Sequence, residues 1–239
     1  MDRFFSRYVN QASDIAHELV EKGFFKFDIP VNYSDCKEIL RDRIDSTSQS
    51  NYVSGAQEVV SLIDALAAES LTNRVAEEVE DLLGIKLSRK GNHHVLRSVK
   101  PGDGSEAFRG HFDSHALTIL LPLQIPSGGV DESGELFFLP LARRWPKSEI
   151  ENIIGKIIWK LKLVAFGFDA TVKKSEKFTK FNFKDGCPII FLGKICFHGN
   201  YPLGDPAIDF RHTVLAHFYD DSGPISLAEL TRKLRRRGA

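Results

Sequence analysis

The segment Phe108-Arg109-Gly110-His111-Phe112-Asp113-Ser114-His115 sets an imidazole and a carboxylate two residues apart. In an extended strand, side chains at i and i+2 project to the same side, so His111 and Asp113 can share one ion. A second imidazole comes from far downstream. In Pro188-Ile-Ile-Phe-Leu-Gly-Lys-Ile-Cys-Phe-His198-Gly-Asn-Tyr-Pro a nearly unbroken apolar strand delivers His198 to turn residues, and so to a barrel mouth. Two imidazoles and one carboxylate make a facial ligand set suited to non-haem iron(II), which leaves positions open for oxygen chemistry.

Thirteen residues on, Phe210-Arg211-His212-Thr213-Val214-Leu215-Ala216-His217-Phe218-Tyr219 has period-two faces. Arg211, Thr213 and Leu215 share one face, and Phe210, Val214, Ala216 and Phe218 share the other. A guanidinium and a hydroxyl turned into a barrel are costly unless an anion meets them, and the guanidinium fork suits a carboxylate. Lys194 and Arg97 are alternative basic anchors. His115 is expected in a pocket wall or in solvent, and His93-His94, with no carboxylate nearby in sequence, at the surface.

The elements that must position these groups fall into two halves. Ile15, Ala16, Leu19 and Val20 have helical spacing from Ser13 to Lys22, and Gly23 ends that helix. Phe24, Phe25, Phe27 and Ile29 predict a short strand stopped by Pro30, and Ser34 or Asp35 opens a helix through Cys36, Ile39, Leu40 and Ile44. The polar stretch Ser46 to Ser54 reads as a flexible linker, and Ala56 to Leu83 as two or three helices closed by Gly84. Beyond Gly84, strands are expected at His94 to Val99, Ala116 to Ile125, Glu135 to Pro140, Lys162 to Phe168, Pro188 to Phe197 and Phe210 to Tyr219. Closely spaced strands after a helical front predict a jelly roll braced by helices rather than alternating βαβ units.

Composition limits the function classes. The chain has 239 residues, 42% hydrophobic, with formal net charge +0, enough to bury one large core in a single domain. Balanced charge argues against a dedicated nucleic-acid binder, although Arg232, Lys233, Arg235, Arg236 and Arg237 form a basic run read here as a solvated tail. No apolar run reaches membrane-spanning length, and Met-Asp-Arg-Phe-Phe-Ser-Arg-Tyr lacks the apolar centre of a secretion signal, so a cytoplasmic location is expected. Cys36, Cys187 and Cys196 match neither a zinc ribbon nor a redox pair and are expected as reduced, buried small hydrophobes.

The order His-x-Asp, distal His, then Arg-x-Thr resembles the iron(II)/2-oxoglutarate-dependent dioxygenases, broadly their phytanoyl-CoA and prolyl hydroxylase branches. Val95-Leu-Arg-Ser-Val-Lys-Pro-Gly102, Gly134-Glu-Leu-Phe-Phe138 and Lys184-Asp-Gly-Cys-Pro-Ile-Ile-Phe191 resemble the family's supporting strands and turns, as does the helix-strand-helix front. The resemblance spans most of the chain but is specific only at the motif residues. It implies a mainly β fold with a helical N-terminal part: a double-stranded β-helix (jelly roll, cupin-like) braced by α-helices. Within one domain, 1–90 would be helical support, 91–220 the core and 221–239 a basic tail.

It further implies Fe(II) on His111, Asp113 and His198, and 2-oxoglutarate as cosubstrate anchored by Arg211, with Thr213 beside it and Arg97 as a substitute. Dioxygen is then the co-reactant and ascorbate an accessory reductant. The expected reaction is hydroxylation of a C–H bond of a small polar substrate, releasing succinate and carbon dioxide; Asp113 argues against halogenation, because related halogenases lack that carboxylate. From Asp113 to His198 is 85 residues (198 minus 113), longer than usual, and the excess is assigned to an insertion at about 143–184. Its Trp159, Phe166, Phe168, Phe178, Phe181 and Phe183 read as packing or as a substrate lid, and the loop Gly102 to Gly110, with Asp103, Glu106 and Arg109, as another wall. Competing readings are a peptidyl or protein side-chain hydroxylase, a nucleic-acid dealkylase, which would need a second arginine where His217 stands, and a non-catalytic jelly-roll binding protein.

Overall fold

A computed structural model gives the fold and describes residues 3–89, 91–104, 107–126, 134–166, 177–204 and 209–220, with the backbone alone for 160 and 162–166. Glu106, residues 205–208, the part of the expected insertion at 167–176 and the basic tail lie outside them. A 3₁₀ helix, Phe4–Gln11, leads into α1 (Ala12–Lys22), β1 (Phe24–Lys26), α2 (Tyr33–Ile39), α3 (Arg41–Asp45), β2 (Asn51–Ser54), α4 (Gln57–Ala65) and α5 (Ala68–Leu83). Then come β3 (His93–Val99), β4 (His115–Gln124), β5 (Leu136–Leu139), α6 (Glu149–Phe166), β6 (Thr179–Phe181), β7 (Ile189–Leu192), β8 (Phe197–Asn200) and β9 (Arg211–Asp220).

Two antiparallel sheets result, one ordered β1-β7-β4-β9-β3-β2 and a smaller one ordered β6-β5-β8. The inner strands of the larger sheet, β7, β4 and β9, are buried on both faces. Leu96, Leu117, Ile119, Ile190, Val214, Ala216 and Phe218 join one apolar cluster with Ile15, Leu19, Leu71, Val75 and Val79 of α1 and α5, so helical spacing at i, i+4 and i+8 meets strand spacing at two. Gly23 closes α1 in the left-handed region at φ +82°, donating its N–H to Leu19 O at 2.9 Å. The other face turns toward the smaller sheet, where Phe191 of β7 packs on Phe138 of β5 with ring centroids 5.3 Å apart. All three cysteines are free and buried. Among the described residues no helix is long and apolar enough to cross a membrane.

The fold has the expected class, but several expected elements differ. The stretch Lys162 to Phe168, expected as a strand, is helical through Phe166: β-branched residues suggested extension, yet the apolar positions of 149–166 recur at helical intervals. Asn51–Ser54, expected as flexible linker, is an edge strand with Tyr52 opposite Arg97. Pro188 to Phe197 is two strands rather than one, because the chain turns at Gly193 to Ile195, with Cys196 N–H donating to Leu192 O at 3.0 Å, and passes from the larger sheet to the smaller. The 143–184 segment contains β6, which pairs with β5 in the smaller sheet.

His94, expected at the surface, is buried, its ring centroid 5.2 Å from that of Phe218. His212 is buried with Nδ1 2.9 Å from Ser98 Oγ. Burial pushes both imidazoles down to about 4 from the ordinary 6.5. Unfolding returns them to the ordinary value, so the unfolded chain binds more protons between those limits. Their contribution to stability is present above pH 6.5 and lost as pH falls through about 4. The urea midpoint of the wild type should therefore drop across that window, and a His94→Leu/His212→Gln variant should drop less; identical slopes would refute the assignment.

Candidate metal centre

His111 lies just outside β4 and His198 within β8, and the two form an isolated antiparallel bridge. His111 N–H donates to His198 O at 2.9 Å and His198 N–H to His111 O at 3.0 Å. Residues that exchange both backbone bonds present their side chains together on one face. The two rings accordingly lie with centroids 4.5 Å apart. Each Nδ1 is 2.9 to 3.2 Å from a backbone carbonyl two residues earlier, Arg109 O for His111 and Cys196 O for His198. A carbonyl only accepts, so each Nδ1 carries the proton and each Nε2 keeps its lone pair for a metal.

Asp113 completes the set. Its N–H donates to Gly193 O at 2.9 Å, bringing the inter-sheet turn against the carboxylate. A Cβ at Gly193 would meet Asp113 Cβ at 2.8 Å and Asp113 Oδ2 at 2.9 Å, so only glycine permits this approach. Asp113 Oδ1 stands 3.6 Å from both His111 Nε2 and His198 Nε2. Its other oxygen, Oδ2, accepts from the Thr118 hydroxyl at 2.6 Å. Burial opposes ionisation of Asp113, but the imidazoles of His198, His217 and His111 hold its carboxyl well below the usual range. Burial pushes His198 down to about 4, against the pull of Asp113, so its imidazole is neutral at physiological pH.

One donor atom from each of His111, Asp113 and His198 lies within 4.8 Å of the others, and among the described residues they are the only such group of three. Two imidazoles with Nε2 turned to one point and an ionised carboxylate fit a divalent transition metal. His198 and Asp113 are buried, whereas the His111 side chain is 54% exposed, which leaves the centre open on one side.

The expected anchor residues gather at a recess lined by Arg97, Val99, Asp103, Ala107, Asn200, Tyr201, Leu203 and Arg211. Register explains it: Arg97 is opposite Thr213, and Val99 opposite Arg211, in the β3–β9 ladder. Arg211 donates to Gly134 O, Asn200 Nδ2 donates to the same carbonyl at 3.2 Å, and Arg97 donates to Asn200 Oδ1 at 2.7 Å. Thr213 is buried beside them. Lys194 lies elsewhere, with Nζ over the Trp145 ring. Strand β8 joins metal centre and recess, because His198 and Asn200 share one face about 7 Å apart along the strand.

On the opposite face of β8, Phe197 stacks on Trp159 of α6 at 5.3 Å, and Phe112 meets both rings. Arg143 covers Phe112 with its guanidinium 4.1 Å from the ring centre. Sequence reasoning missed Thr118, His217, Asn200 and Gly193. It also placed His115 in a pocket wall or solvent, whereas that ring is buried and stacked 4.9 Å from His217. The only signal for Thr118 and His217 was two polar residues inside apolar strands.

No protein-family model matches the sequence, and no curated protein matches it. Solved structures do. A prolyl 4-hydroxylase from Phytophthora capsici is similar with TM-score 0.58 at 12% identity, covering 98% of this chain and 74% of that one. A Trichoplax adhaerens prolyl hydroxylase in complex with a hypoxia inducible factor peptide fragment gives 0.55 at 13%, covering 92% and 94%. The non-heme alpha-ketoglutarate-dependent epimerase SnoN from nogalamycin biosynthesis gives 0.52 at 17%, covering 88% and 84%. At these identities the likeness establishes the fold alone, a double-stranded β-helix shared with these hydroxylases and the epimerase.

Proposed function

We propose that this chain is an iron(II)- and 2-oxoglutarate-dependent oxygenase that hydroxylates a C–H bond of a small polar substrate. The observation that carries the reading is the placement of an arginine-lined recess one strand repeat from an open His-Asp-His cluster, in a fold shared with prolyl hydroxylases and an alpha-ketoglutarate-dependent epimerase. The span from His198 to Asn200 is comparable with the length of a five-carbon diacid.

His111, Asp113 and His198 would hold the iron through Nε2, Oδ1 and Nε2. Bound iron supplies the open positions at which a keto acid and dioxygen meet, coupling oxidation of substrate to oxidative decarboxylation of the cosubstrate. Substrate C–H, 2-oxoglutarate and dioxygen then give substrate C–OH, succinate and carbon dioxide; ascorbate would serve only to restore iron(II). Arg211 would hold the far carboxylate of the keto acid, with Thr213 and Arg97 beside it. The Nδ1 bonds of His111 and His198 fix both rings, and Phe191, 4.8 Å from the His198 ring, with Phe138 keeps water from the buried side.

A second reading, hydroxylation of a side chain within a peptide, is favoured by one observation. Ile150, Ile154, Ile157, Ile158 and Leu161 form an exposed apolar stripe on α6, the helix whose Trp159 packs beside Phe112. Replacing Ile154 and Ile158 with Gln should leave turnover of a small substrate unchanged and impair that of a peptide.

Anaerobic addition of Fe(II) and 2-oxoglutarate to purified protein should produce a visible charge-transfer band, and oxygen should then release succinate. His111→Ala should abolish both signals; their absence from the wild type would sink the oxygenase reading. Arg211→Ala should raise the 2-oxoglutarate concentration needed for half-saturation roughly 10- to 100-fold, the cost of a lost charged hydrogen bond, with iron affinity retained. A larger effect from Arg97→Ala than from Arg211→Ala would transfer the anchor to Arg97.

A further inference from the structure

Behind Asp113 lies a buried polar chain that ligand identity alone does not require. Thr118 of β4 and His217 of β9 are direct cross-strand partners, both buried. Thr118 Oγ is 2.6 Å from Asp113 Oδ2 and 2.9 Å from His217 Nδ1. The threonine hydroxyl has one proton, and an ionised carboxylate can only accept. Thr118 therefore donates to Asp113, and His217 donates its Nδ1 proton to Thr118. The His217 ring is held in turn by near-parallel imidazoles, His115 at 4.9 Å and 23° and His93 at 6.2 Å and 16°.

We propose that Thr118 and His217 are positioning residues for the metal centre, holding Asp113 so that Oδ1 alone faces the metal and Oδ2 is withheld. This rests on the reading of His111, Asp113 and His198 as metal ligands. A carboxylate can bind through one oxygen or chelate through two, and a chelating Asp113 would occupy a coordination position that cosubstrate or dioxygen needs. The Oδ2 bond blocks that rotation. It also cuts the number of carboxylate orientations that metal binding must freeze, which raises affinity.

The test is anaerobic titration of the full chain with Co(II), reading affinity by chelator competition and coordination from the visible d–d bands, alongside the urea midpoint of the metal-free protein. Thr118→Val, which keeps the shape and removes the hydroxyl, should weaken Co(II) binding about 10- to 100-fold, the usual effect of losing a partner behind a metal ligand, and alter the d–d spectrum. Thr118→Ser should restore both. His217→Phe, which keeps a ring in the stack, should shift affinity in the same direction and add little to Thr118→Val, because both act through one bond. Wild-type affinity and spectrum in Thr118→Val, with only a lower urea midpoint, would overturn the proposal and leave an ordinary core pair. If Thr118→Val does not fold, unchanged affinity in His217→Phe overturns it equally. A wild type that binds no Co(II) defeats the metal reading itself, and this inference with it.

Discussion

The reciprocal backbone bridge between His111 and His198 is the contact on which the rest of the centre depends. It joins the segment before β4 to a strand of the other sheet and places two imidazoles side by side. Such a bridge forms only if the chain crosses between sheets immediately before His198. That crossing is the turn at Gly193 to Ile195, whose first residue also accepts the N–H of Asp113. One local geometry therefore positions all three ligand residues, and Gly193 is where it admits no side chain.

Burying a carboxylate at that seam is costly, and the surrounding polar groups answer the cost in stages. His198 and His111 meet one oxygen, and Thr118 meets the other. His217 supports Thr118, and a stack of imidazoles supports His217. The result is a buried carboxylate that stays ionised, beside a His198 imidazole kept neutral by burial. A cation held there would be met by Oδ1 of Asp113 and Nε2 of His111 and His198.

Alternation along single strands distributes the remaining roles. In β8 the inward residues His198 and Asn200 serve the metal centre and the recess, while the outward residues Phe197 and Gly199 meet aromatic packing. A Cβ on Gly199 would fall 2.4 Å from the Phe137 ring, so the small residue lets the aromatic layer lie close to the strand. In β9, Arg211, Thr213 and His217 face the interior, and Val214, Ala216 and Phe218 face the helices. Helix α6 closes the outer side through Trp159 and turns its apolar stripe to solvent.

Much of this was legible in the residues themselves. The i, i+2 spacing of His111 and Asp113, the period-two faces of 210–219 and the helical spacing of the front half are local patterns, and local sterics set side-chain direction directly. The fold class followed from strand density, and the family resemblance joined His198 to the pair. Other features depend on which strands become neighbours. Thr118 and His217 are 99 residues apart, and nothing in either segment marks them as a hydrogen-bonded pair. Arg97 and Asn200 are 103 apart. The turn that splits 188–197 is set by the demands of two sheets, since an apolar run of that composition extends equally well as one strand, and Lys162 to Phe166, the C-terminal end of α6, is a short apolar run that fits either period. The sequence by itself determined which residues could bind a metal and an anion and which way each points along its own strand; the tertiary structure decided which of them meet, because register and crossing are cooperative properties of the whole sheet.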